Sequence, residues 1–141
     1  MSAAAEETQS DRSLAQQLGF TQGKTAAEIG HDEDCDERLR SSIEAVTGSK
    51  LAAADSDDAA DVVVLWWRDG DGDLVDGLAG AMESLDGDGH IWLLTPKDGR
   101  NGHVTSSEIN EFALAAGLNT TSPVSAAGDW TGTRLLAPKA K

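Results

Sequence analysis

The apolar residues of this chain fall into short blocks separated by acidic and glycine-rich stretches. The densest block is Val62-Val63-Val64-Leu65-Trp66-Trp67, a continuous run of β-branched and aromatic residues. Alternation would mark a strand with one wet face. Its absence predicts a strand buried on both faces, as in a parallel sheet covered by helices. His90-Ile91-Trp92-Leu93-Leu94 predicts a second such strand, ended by Thr95 and Pro96 because proline has no N–H to give to a ladder. Between the two, the turn-rich Asp-Gly-Asp-Gly-Asp of 69–73 leads into Leu74, Leu78, Ala81 and Leu85. That spacing is one stripe of a helix, broken by Asp86 to Gly89.

The same reading extends to both sides. Ser13 to Gly19 reads as one short helix, and Lys24 to Ile29 as a strand ended by Gly30. Asp34 to Val46 reads as a helix, with Leu39, Ile43 and Val46 on one stripe and Gly48 as its stop. Asp32, Glu33, Asp34, Asp36 and Glu37 gather at its start, where negative charge suits the helix dipole. Lys50 to Ala54 is a short strand candidate, followed by an acidic loop, Asp55 to Asp61. After a polar loop from Lys97 to Val104, Thr105 and Glu108 have capping-box spacing. The stripe Ile109, Phe112, Ala113 and Ala116 follows, with Gly117 as C-cap. Strands at Asn119–Ser125 and Thr131–Ala137, around a break at Ala126–Trp130, predict a closing hairpin. Strands and helices in alternation predict an α/β domain of three layers, its sheet mostly parallel with a C-terminal antiparallel hairpin. It spans residues 14–141. Residues 1–13 are polar, offer nothing to bury and are expected to be a disordered tail.

Composition narrows the function classes. A chain of 141 residues is one domain. Lys and Arg number 11 against 25 Asp and Glu, a net charge of −14. That argues against nucleic-acid partners, which need cations for their phosphates, and against anionic membrane surfaces. It suits solubility, and also adaptation to high salt. No apolar stretch approaches the roughly 18–20 residues of a transmembrane helix. The N-terminus lacks the basic start and apolar run of a secretion signal, so a cytoplasmic protein is expected. One cysteine, Cys35, excludes an intramolecular disulfide and any multi-thiolate metal site.

Several strings are unusual: Leu-Gly-Phe at 18–20, IEAVTGS at 43–49, LWWRDGDGDLVD at 65–76, IWLLTPK at 91–97, GHV at 102–104 and DWTGTRLLAPK at 129–139. In these the chain resembles a family of small actinobacterial proteins described as a domain of unknown function (number three thousand and fifty-two). The resemblance covers nearly the whole chain after the tail. It implies a Rossmann-like layout similar to a shortened class I methyltransferase sheet, and fold alone does not fix function. Those enzymes carry a glycine-rich turn after the first strand. Here the matching stretch is Glu28-Ile29-Gly30-His31-Asp32-Glu33-Asp34, one glycine among acids. Asp55 stands where such enzymes hold a ribose with a carboxylate. The resemblance thus implies a degenerate cofactor site, and no cofactor is expected.

Other chemistry is sparse. Asp69, Asp71 and Asp73 imitate the start of a calcium loop, but Leu74 and Gly80 stand where it needs Gly and Glu. His31, Cys35, His90 and His103 match no zinc spacing, so no metal is expected. For Cys35 the helix N-terminus favours the thiolate and the flanking carboxylates oppose it, so no redox role is expected. No serine sits in G-x-S-x-G, and Ser106 and Ser107 are assigned to helix initiation. No catalytic residue is named. The candidate ligand-binding residues are Trp67 and Arg68 at one strand end, Lys97, Arg100 and His103 after the next, and Trp130 on the predicted turn. Together they suggest a site for an anionic or planar ligand, with Trp67 as its stacking wall. The plain alternative leaves Arg68 and Lys97 paired with surface acids, Trp67 in the core and Trp130 plugging a core edge. The function expected is a non-enzymatic binding or regulatory protein acting through another protein. The alternative is a small-molecule or S-adenosylmethionine-binding enzyme or sensor.

Overall fold

Among the described residues, seven strands and three helices follow one another as β1 (Ala26–Ile29), α1 (Glu37–Thr47), β2 (Ala52–Ala53), β3 (Ala60–Trp66), α2 (Leu74–Glu83), β4 (Leu85–Pro96), α3 (Ser106–Ala115), β5 (Asn119–Thr120), β6 (Val124–Ala127) and β7 (Trp130–Leu136). The structure is a computed structural model. It describes residues 15–16, 18–30, 33, 35–48, 51–53, 60–70, 72–83, 85–121, 123–127 and 130–136. The expected tail, most of the acidic loop, Asp55 with it, and His31, Asp32, Asp34 and Asp71 lie outside these residues.

All strands belong to one sheet, in the order β2-β1-β3-β4-β7-β5, with β6 also on β7. The first four are parallel and β7 runs antiparallel to β4, β5 and β6. In the central pair, Val62 lies opposite His90, Val64 opposite Trp92 and Trp66 opposite Leu94. The apolar run of β3 is buried throughout, because both faces are covered. Val62, Val64, Trp66, Trp92 and Leu94 pack with Leu39 and Ile43 of α1 and with Leu18 and Phe20. Val63, Leu65, Ile91 and Leu93 pack with Leu74 and Leu78 of α2 and Ile109 and Ala113 of α3. The chain steps one way from β1 to β2 and the other way from β3 to β4. With right-handed crossovers, those opposite steps put α1 and α2 on opposite faces. This is the three-layer Rossmann-like α/β arrangement read from the sequence.

Local signals explain the helix ends. The capping box of α3 forms as expected: the Thr105 hydroxyl accepts from Glu108 N–H and the Glu108 carboxylate from Thr105 N–H. At its other end Ala116 is the C-cap, and Gly117, at φ +84°, is the left-handed residue after it. Leu118 N–H reaches Ala113 C=O and Gly117 N–H reaches Leu114 C=O, the two bonds of a Schellman turn. Helix α1 begins at Glu37 rather than Asp34, because the Asp36 carboxylate caps it through Arg38 N–H and Leu39 N–H.

Other expectations are corrected. Leu85 is not helical, and Asp86 to Gly89 do not interrupt the chain: β4 starts at Leu85, paired with Ala60 across a bulge in the register. The strand expected at Asn119–Ser125 is two pieces, β5 and β6, separated by a stretch that contains Pro123, both laid along β7. A contact invisible in the periodicity holds the 15–20 segment down. Trp92 Nε1 donates to Leu18 C=O at 2.8 Å, and Ala15 N–H donates to the buried Ser42 hydroxyl at 2.9 Å. Among the described residues no helix is long and apolar enough to cross a membrane.

At the N-terminal pole of the sheet, burial and the positive charges of Arg134 and Lys24, opposed by Asp61, push His90 down from 6.5 to about 4. Its Nε2 is buried without a partner among the described residues. The folded state thus holds His90 neutral at pH 5–6, whereas the unfolded chain protonates there. Stability from this site is full above pH 6.5 and is lost as pH falls toward 4. A shift of this size corresponds to up to about 3 kcal/mol, and because the ring is only half-buried we expect about 1–2 kcal/mol. Denaturant titrations at pH 7 and 4.5 should show His90→Gln losing less stability than the parent by that amount. Equal losses would remove His90 as a cause.

Gly30 gives a second expectation. Its φ is +82°, and a Cβ there would stand 2.4 Å from the Trp66 carbonyl oxygen. Gly48 has the same backbone (φ +83°) with open space around it. Gly48→Ala should cost about 1 kcal/mol, the left-handed penalty alone, and Gly30→Ala about 2–4 kcal/mol, because backbone cannot retreat. Equal costs in urea unfolding would mean that β1 and β3 do not approach this closely.

Candidate functional site

The order in which strands are added reverses between β1 and β3, and in open α/β sheets ligands enter the crevice at the carboxyl ends of the strands flanking such a switch point. Here those ends are Gly30, after β1, and Trp67-Arg68, after β3. Trp67 N–H still reaches Leu94 C=O, so the ladder runs one residue past the strand. Arg68 then turns toward the α1 face. Its Nη1 donates to Gly30 C=O at 2.9 Å, and its Nη2 lies 3.3 Å from the Sγ of buried Cys35. The guanidinium carbon sits 5.3 Å from the centre of the Trp130 ring, in cation–π range. The loop after β4 closes over the stem: Asp69 N–H donates to Gly102 C=O at 2.8 Å, and a Cβ on Gly102 would stand 2.9 Å from Arg68 Cβ. The protein's own arginine thus lies across the carboxyl ends of β1 and β3.

Beneath it lies an ion pair that the sequence analysis missed. Glu28 of β1 is nearly buried, its side chain 8% exposed. Its Oε2 accepts from Arg40 Nε at 2.6 Å and from Trp66 Nε1 at 2.8 Å, and its Oε1 from Arg40 Nη2 at 2.9 Å. The forked bond to Glu28, more than that to Glu37, raises the pKa of Arg40, so it stays charged at any pH of interest. Trp66, fully buried, meets Trp130 edge to face with centroids 4.8 Å apart. One continuous stack thus runs from Glu28 through Trp66 and Trp130 to Arg68. An acid and an arginine 12 residues apart follow no helical period. The only sequence signal was an acidic residue inside an otherwise apolar strand.

The six sequence-predicted residues do not form one pocket. Arg68 and Trp130 come together on the α1 face. Trp130 is not on a turn: it opens β7 opposite Pro96 and is 4% exposed, as a plug of the core edge would be. Trp67, one residue from Arg68, points to the other face, where a Cβ on Gly77 of α2 would stand 2.6 Å from its ring. Period-two alternation separates the two neighbours. Lys97 is half-buried at the end of β4. His103 Nδ1–H donates to Pro96 C=O at 2.9 Å, its Nε2 lies 3.8 Å from Asp98, and its N–H bonds Arg100 C=O. Those contacts fold the 97–103 loop on itself, with Gly102 laid against Arg68. Arg100 is exposed. Among the described residues no three His, Cys, Asp or Glu gather as metal ligands.

Glu28→Gln keeps the shape and removes the charge opposite Arg40. Breaking a buried pair on one side costs about 3–5 kcal/mol, and because Arg40 keeps a wet edge and Glu37 we expect about 2. The tryptophan emission of the chain should move to the red. A loss under about 0.5 kcal/mol would show the pair to be ornamental.

Comparison with known proteins bears on this geometry. The fold matches the pyocyanin biosynthetic protein PhzM with a TM-score of 0.66 at 14% identity, over 91% of this chain and 54% of that one, so the chain spans about half of PhzM. It matches a SAM-dependent methyltransferase of Aquifex aeolicus with a TM-score of 0.63 at 10% identity, over 91% and 89%. At such identities the likeness establishes the fold and no more. Directly after the first strand, the Gly30 carbonyl accepts from the Arg68 guanidinium; His31, Asp32 and Asp34, which continue that turn, lie outside the described residues. In sequence, the uncharacterized protein Mb2263c of Mycobacterium bovis is 48% identical over 127 residues, 90% of this chain and 80% of that protein. With residues 15–139 also matching its family pattern, the chain belongs to the family described as Protein of unknown function (DUF3052).

Proposed function

We propose that this chain is a non-enzymatic binding or regulatory protein that keeps a methyltransferase-like scaffold and acts through contacts with another protein. One observation carries the reading: Arg68 lies across the switch point, bonded to Gly30 C=O and stacked on Trp130. A ligand entering there must first break a charge-assisted hydrogen bond and a cation–π contact, at a combined cost of about 2–3 kcal/mol. The dense acids around Gly30 in the sequence add repulsion for any phosphate.

The competing reading is a small-molecule or S-adenosylmethionine-binding enzyme or sensor at the same strand ends. It draws its support from fold neighbours such as the Aquifex aeolicus enzyme. Thermal unfolding with millimolar S-adenosylmethionine separates the two. A ligand at 100-fold over its Kd adds about 2.7 kcal/mol, on the order of 10 °C for a domain of this size. We expect no shift for the parent chain, and none for Arg68→Ala beyond the change its lost contacts cause. A saturable shift in the parent would overturn the proposal. A shift confined to Arg68→Ala would identify Arg68 as the residue that closes an otherwise competent site.

A further inference from the structure

The other face of the same sheet edge carries a groove. It lies where the N-terminal ends of α2 and α3 converge and has a volume of about 290 Å³. Trp67 and Phe112, both half-buried, form its aromatic walls, and Asp69, Asp73 and Glu108 are its charged lining; no basic residue lines it. The sequence suggested an anionic ligand against Trp67. The geometry inverts that expectation, because Lys97, Arg100 and His103 are absent from the lining. Asp73 caps α2 through Val75 N–H with one oxygen, and Glu108 caps α3 through Thr105 N–H with one oxygen. The second oxygen of each is not spent on its cap. Two helix N-termini offset about half a charge each, so three carboxylates leave the groove at about −2. Trp66, Trp92 and Trp130 are sealed in the core at 4% exposure or less, whereas Trp67 keeps an open side.

We propose that this groove receives an arginine side chain from a basic segment of a partner protein. Two aromatic faces and a carboxylate rim suit a planar cation that both stacks and forks hydrogen bonds, which favours guanidinium over ammonium. The volume takes one side chain, not a folded surface. The inference rests on the protein-binding reading and supplies the partner's chemistry.

The probe is acetyl-Gly-Arg-Gly-Arg-Gly-amide, titrated at low salt and followed by the emission of Trp67. The lysine and glutamate versions serve as comparisons. We expect saturable binding in the order arginine, lysine, glutamate. Asp69→Asn with Glu108→Gln should weaken it roughly ten-fold, while glutamine at 108 keeps the capping box. Asp76→Asn with Glu83→Gln, exposed elsewhere on α2, removes the same charge and should change binding less than two-fold. Equal weakening by both pairs would show attraction to net charge alone and overturn the proposal. So would absence of arginine-peptide binding at millimolar concentration. If a purified native partner then binds the parent and the Asp69/Glu108 variant alike, this inference fails and the protein-binding reading stands. Saturable S-adenosylmethionine binding overturns that reading instead.

Discussion

Everything in this fold is hung on the parallel pairing of β3 and β4. Their side chains alternate between two buried faces, so the backbone between them has no water to fall back on and must satisfy itself in the ladder. That requirement fixes the register of Val64 opposite Trp92 and Trp66 opposite Leu94. From it follow the positions of α1 on one face, α2 and α3 on the other, and the alignment of Gly30, Arg68 and Lys97 along one edge. A slip by one residue would move every one of these side chains to the opposite face.

On the α1 face a carboxylate enters the core, and it does so in partnership. Glu28 is tolerable because Arg40 and the Trp66 indole together occupy both of its oxygens. Trp66 in turn backs Trp130, and Trp130 backs Arg68. Each group is positioned by the one beneath, so the placing of Arg68 across the switch point is tied to the core and is not a surface accident. The same face also carries the isolated His90, kept neutral by burial and by neighbouring cations.

The two faces of the sheet edge have opposite electrostatic character. On one, an arginine lies on a tryptophan. On the other, a tryptophan stands among carboxylates. In a chain of charge −14 acids are everywhere on the surface, and what distinguishes the second face is the aromatic pair behind them. Trp67 and Arg68 are adjacent in sequence and serve these two faces separately.

Hydrophobic periodicity and turn chemistry were enough to read strands at 62–67, one residue too long, and 90–94, the stripe of α2 up to Ala81 and that of α3, the capping box at Thr105 and the parallel sheet with its antiparallel end. These are local signals, set by side-chain period and by backbone groups within four residues. The split into β5 and β6 and the extension of β4 to Leu85 were not legible, because pairing with a distant strand overrode local turn propensity. Nor was the site. The most apolar strands drew attention to the ends of β3 and β4, whereas the switch point lies between β3 and the modest strand Ala26–Ile29. Glu28 with Arg40, Trp66 with Trp130, and Arg68 with Gly30 are separated by 12, 64 and 38 positions. No period encodes such distances; only the crossovers that fold the chain through the sheet bring them together.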